Sequence, residues 1–146
     1  MCLTRQREFP GDPSAIAAAR DFVAALVVAM LDPRGWGVAD DAALLASELV
    51  TGAVEAGCSH LELLAALHAD RLELSVTGYG GIAAASSGSP DSALRERLLA
   101  GVAESARFTR RPDGTTVGSA RLSCERRWTA GVPCALGGGR SANGLR

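Results

Sequence analysis

Residues 71–77 read Arg-Leu-Glu-Leu-Ser-Val-Thr and alternate polar with apolar at every step. A segment with that period is a strand with one wet face and one buried face. Leu72, Leu74 and Val76 point inward on this reading. A sheet with a single apolar face needs a second layer to cover it, and two stretches upstream have the spacing of covering helices.

The first helix is predicted to start at Asp12 as N-cap, with Pro13 at the first helical position, where its missing N–H costs nothing. Ile16, Ala19, Val23, Leu26, Val27 and Met30 recur at three- and four-residue steps and form one apolar face. Asp32-Pro33-Arg34-Gly35 ends it. A second helix is predicted over 40–56. Val38, Ala42, Leu45, Leu49, Ala53 and Ala56 make its buried stripe, and Gly57 is its stop. Glu48, Gly52 and Glu55 share a different face of this helix, at i, i+4 and i+7.

A strand opening at His60-Leu61-Glu62-Leu63 pairs with 71–77 as a hairpin turning near Ala69-Asp70. Residues 82–89 are small and make a loop or lid, because they offer nothing to pack. A third helix is expected over 91–105, with Leu94, Leu98, Val102 and Ala106 on one face. Two more strands are expected over 107–111 and 115–123, joined by the turn Pro112-Asp113-Gly114. Residues 1–11 read as a lead-in with a short strand around Phe9. Residues 129–146 are rich in Gly, Ala and Arg and read as a disordered tail. The fold class expected is α+β: a two-layer sandwich with a mixed or antiparallel sheet and helices on one face, in a single domain over 12–128.

Composition narrows the function classes. The 146 residues are 47% apolar and 21% charged, which suits one globular domain. Fifteen basic against sixteen acidic residues leave a net charge of −1, so no basic footprint points to nucleic acid. No apolar run reaches the ~18 residues of a membrane span, and the first residues have no apolar core of a signal peptide. The expected location is the cytoplasm. Every basic residue is arginine, so lysine catalysis is excluded. Cys2, Cys58, Cys124 and Cys134 form no CxxC pair, and the two histidines do not complete a ligand set; free thiols are expected and no metal site. His60 and His68 alternate with Glu62 and are assigned to the solvent face. Arg107, Arg110 and Arg111 cluster at an exposed strand end and read as a solvated or partner-facing patch.

Three stretches resemble the small anti-sigma-factor serine kinases of the GHKL (histidine-kinase/Hsp90-like) ATPase superfamily. Phe9-Pro10-Gly11-Asp12-Pro13-Ser14 through Arg20-Asp21-Phe22-Val23 is similar to the family's opening helix. Residues 41–56, with Ser47-Glu48-Leu49-Val50-Thr51-Gly52-Ala53-Val54, are similar to its N-box helix. Leu72 through Gly78-Tyr79-Gly80-Gly81 is similar to the strand entering its first glycine box. The resemblance implies a Bergerat-type ATPase-like fold with Mg-ATP bound between helices and lid.

It also implies which groups are missing. The family's magnesium-ligating asparagine falls on Gly52, and its adenine-binding aspartate falls on Gly78. The second glycine box falls on Ser92-Ala93-Leu94-Arg95-Glu96-Arg97-Leu98, which has no glycine to let phosphate approach the backbone. Glu48 stands at the general-base position, Gly80 in the glycine-box turn, and Thr115 after the glycine of the last turn. The expectation is a nucleotide-free protein-binding module of the partner-switching kind, with no cofactor. Its expected partner is a sigma factor, a STAS-domain antagonist or a helix-turn-helix regulator, and a homodimer is a further expectation. The alternative is an active serine kinase using ATP and Mg²⁺, with Glu48 as base and Glu55 lending a carboxylate to the metal.

Overall fold

The computed structural model describes residues 3–30, 37–68, 70–81 and 101–124. In chain order these form β1 (Leu3–Pro10), α1 (Ser14–Met30), α2 (Gly37–Glu55), β2 (His60–Leu67), β3 (Arg71–Tyr79), β4 (Ser105–Arg110) and β5 (Thr116–Ser123). The strands make one antiparallel sheet in the order β1-β2-β3-β5-β4. Both helices cover the same face, so the architecture is a two-layer α+β sandwich. The mixed alternative for the sheet does not arise among the described strands.

The helix ends follow their local chemistry. Asp12 caps α1: its Oδ1 accepts from the backbone N–H of Ser14 at 2.8 Å and also from the Ser14 hydroxyl. The end of α2 is a Schellman motif. Cys58 N–H donates to Ala53 C=O at 3.4 Å and Gly57 N–H donates to Val54 C=O at 2.9 Å. Gly57 takes φ of 82°, which a side chain would resist. That motif carries the chain from α2 directly into β2.

Leu61, Leu63, Leu67, Leu72, Leu74 and Val76 on the covered face are fully buried. They meet Leu45, Leu49 and Val50 of α2 and Val23 and Val27 of α1. Each such side chain contributes about 1.5–3 kcal/mol relative to exposure. Register aligns the rows of this face. Leu63, Val76, Gly118 and Phe108 form one row across β2-β3-β5-β4, and Leu61, Gly78, Thr116 and Arg110 form the next.

Four local expectations change. The lead-in is a full eight-residue edge strand paired along all of β2. Its pattern is hidden because Arg5 and Arg7 lie on the covered face at the sheet margin. There the Arg7 guanidinium stacks 5.5 Å from the Phe9 ring and 5.7 Å from Phe22. Helix α2 starts at Gly37, three residues before the expected Asp40. The third helix was expected to run to residue 105; helical backbone stops at Val102 and Ser105 opens β4. His68 is buried, not solvent-facing: it lies just past β2, where the turn folds it against Glu73. The stop at 32–35, the loop at 82–89, most of the third helix and the tail at 129–146 lie outside the described residues.

Candidate functional site

The face of α2 that carries Glu48 and Gly52 looks toward β5 and β4. Gly52 is buried, and a β-carbon placed there would lie 2.6 Å from Phe108 Cε2 and 2.7 Å from Cζ. The Phe108 ring therefore rests on the α2 backbone itself. It also presses on Gly118, where a β-carbon would meet Phe108 Cδ2 at 2.9 Å and Leu49 Cδ2 at 3.0 Å. Two glycines on facing elements thus form a slot for one aromatic ring. The sequence expectation named Gly52 but not Phe108. The missed signal is a large aromatic in an edge strand whose register partner is glycine.

One row along, Gly78 is equally confined. A β-carbon there would lie 2.6 Å from Thr116 Oγ1 and 3.1 Å from the β-carbons of Ala53 and Cys58. Thr116 is buried, and among the described residues its hydroxyl has no hydrogen-bond partner. A buried hydroxyl without a partner is uncommon and marks the place where a polar group would be welcome. Thr116, rather than Thr115, faces this spot. Its inward parity with Ala120 and Leu122 was readable from the alternation of the expected strand.

Thr115 shapes the turn. Its N–H donates to Asp113 Oδ1 at 2.8 Å and its C=O accepts from Arg111 N–H at 2.7 Å. The bond from the Thr115 N–H, then the Thr115 side chain, holds the Asp113 carboxyl below the usual carboxylate range. A depressed carboxylate supports the fold above its unfolded pKa. That support fades as pH falls through the folded value. Gly80 ends β3 with φ of 72°, against the Ser59 side chain. Glu48 is half-buried and Glu55 exposed on α2. Of the six candidate positions, the three glycines at Gly52, Gly78 and Gly80 leave no room for a β-carbon without movement, Gly80 only against the Ser59 side chain. Cys58, next to Gly78, is buried; desolvation pushes its thiol up, which makes it a poor nucleophile.

A charged cluster lies on the opposite face of the sheet. Glu73 Oε1 is 3.1 Å from Arg121 Nη2 and 3.3 Å from Arg71 Nε, and Glu73 Oε2 is 3.3 Å from His68 Nε2. The Arg71 Nε approach pairs charge without hydrogen-bond alignment, and Arg71 Nη2 has no hydrogen-bond partner among the described residues. Glu73 thus meets three basic groups, and Asp70 Oδ1 lies 4.0 Å from Arg71 Nη1 as well. Glu73→Ala is expected to lower stability by about 1–3 kcal/mol in urea titration, because it strands partly buried donors. A loss near zero would show that solvent already screens the cluster.

Among the described residues, no group of three or more His, Cys, Asp and Glu side chains is arranged to hold a metal ion. No described helix is long and apolar enough to cross a membrane. No protein-family model matches the chain, and no curated protein matches it significantly.

Proposed function

We propose that this chain is a regulatory protein-binding module of the anti-sigma-factor, partner-switching type, on a Bergerat-type ATPase-like fold with a degraded nucleotide site. The observation that carries the reading is the filled slot at Gly52. The resemblance puts a metal-ligating asparagine there; this chain has no side-chain oxygen and an aromatic ring against the backbone. A hard cation needs oxygen ligands, and Phe108 offers none. The resemblance puts an adenine-binding carboxylate at Gly78, where Thr116, Ala53 and Cys58 close in. The residues at these two positions do not fit Mg-ATP, and no phosphotransfer step is derived for the chain.

What remains is a cytoplasmic scaffold whose surfaces hold a partner: a sigma factor, a STAS-domain antagonist or a helix-turn-helix regulator. Regulation is then by occupancy rather than by modification. Calorimetric titration tests the nucleotide half of this reading. No binding of Mg-ATP or Mg-ADP is expected up to millimolar concentration; micromolar binding would overturn it and put the serine-kinase alternative, with Glu48 as base, first. A two-hybrid screen against the three partner classes from the source genome tests the other half. A specific complex that survives Glu48→Ala is expected. Failure to find a partner in any of the three classes would sink the module reading.

A further inference from the structure

We propose that the open edge of β4 is a docking site for an extended acidic segment of a protein partner, which adds to the sheet beside β4. The inference deepens the binding-module reading, on which it rests for the existence of a partner. It starts from the backbone. Among the described residues β4 pairs with β5 alone, and its other side ends the sheet. Arg111 N–H donates to Thr115 C=O at 2.7 Å, so Arg111 and Thr115 are a hydrogen-bonded pair. Antiparallel pairing alternates. Thr109 and Arg107 therefore bond toward β5, and the N–H and C=O groups of Ala106, Phe108 and Arg110 face the open edge. That is a ladder spaced to receive a strand.

Charge selects the strand. Residues 105–111 carry Arg107, Arg110 and Arg111 and no carboxylate. All three arginines are exposed, and among the described residues none forms an ion pair. Two acids flank the stretch: exposed Glu104 precedes it, and Asp113, which accepts from the Thr115 backbone and feels the Arg111 charge, follows it, so the stretch itself is left with three guanidinium groups. Register puts Arg107 on one face of the sheet, beside Ser119, and Arg110 on the other, beside Thr116. An added strand would meet a guanidinium on each side, so carboxylates on either of its faces find a partner.

The other edge of the sheet differs. On β1, Arg7 is stacked over Phe9 and Phe22, and Arg5 Nη1 donates to the Thr4 carbonyl at 3.1 Å. Glu8 also lies there, and would repel an acidic strand. Basic residues on an edge can equally serve to keep like edges apart. That reading allows no bound strand, so experiment separates the two.

The full chain, isotopically labelled, would be titrated with an alternating Glu-Val peptide and, as control, an alternating Lys-Val peptide. Amide exchange at Ala106, Phe108 and Arg110 should slow at least about tenfold with the first peptide and not with the second. Binding should weaken with added salt. The double variant Arg107→Glu/Arg110→Glu should bind the acidic peptide about tenfold more weakly, which equals about 1.4 kcal/mol. Its melting curve should match the parent's, since both sites are exposed. Absence of amide protection, equal binding of the Lys-Val peptide, or undiminished binding by the double variant would each overturn the proposal. If a partner from the two-hybrid screen binds the double variant as well as the parent, the β4 site falls while the module reading stands.

Discussion

Gly78→Asp is expected to destabilise the protein by about 3–5 kcal/mol. The substitution would place at 78 the carboxylate that the resembled kinases use for adenine. Here its β-carbon would lie 2.6 Å from Thr116 Oγ1 and 3.1 Å from two further β-carbons, one on the C-terminal turn of α2 and one on Cys58 just after it. Overpacking of that kind costs about 1–3 kcal/mol. The carboxylate would then be buried with one hydroxyl as its evident donor, and an under-solvated charge adds a comparable penalty. Gly78→Ala isolates the first term and should cost about 1–3 kcal/mol. Against a total stability of about 5–15 kcal/mol, the aspartate variant loses a large share. Chemical denaturation of the three proteins measures both terms. If Gly78→Asp melts with the parent, the site has room, and the proposed absence of a nucleotide pocket fails at this position. The double variant Gly52→Asn/Gly78→Asp should likewise gain no Mg-ATP affinity, because asparagine at 52 would have to displace the Phe108 ring.

Leu49→Ala is expected to cost about 2–5 kcal/mol. Leu49 is fully buried on α2, and its Cδ2 packs on the bare backbone of Gly118. Its removal would leave a cavity beneath the sheet at the point where Phe108 and Gly118 meet. Neither glycine can fill it, and Phe108 can move in only by leaving Gly52. The urea midpoint should fall with the slope unchanged, since the surface exposed on unfolding is nearly the same. Leu44→Ala, five residues earlier on the same helix, provides the contrast. Leu44 is 44% exposed, so its loss should stay within about 0.5 kcal/mol. Equal effects at the two positions would mean that α2 is rotated from the orientation described.

Much of this architecture is local in origin. The cap at Asp12, the stop at Gly57, the strict alternation of 71–77 and the turn at Pro112-Asp113-Gly114 all act within a few residues. For that reason α1, α2, β3 and the β4–β5 hairpin could be read from the chain. β1 could not, because its covered face carries exposed arginines, of which Arg7 stacks on Phe22 from another element. His68 could not either, because one residue past β2 the period no longer tells which way a side chain turns. The partner that buries it, Glu73, stands on the neighbouring strand.

The candidate site divides along the same line. The amino-acid order shows no side-chain oxygen at 52, no carboxylate at 78 and no glycine between 92 and 98. Composition needs no coordinates. What packs against Gly52 and Gly78 comes from distant elements. Phe108 reaches Gly52 because β4 returns beside β5, across a register that no local pattern specifies. Thr116 closes on Gly78 because strands far apart in the chain pair through their backbones, which carry no residue code. Local propensity sets an element's period and ends. Which bare backbone meets which side chain is set by the packing of distant elements, and at Gly52 and Gly78 that packing favours a closed site over an open pocket.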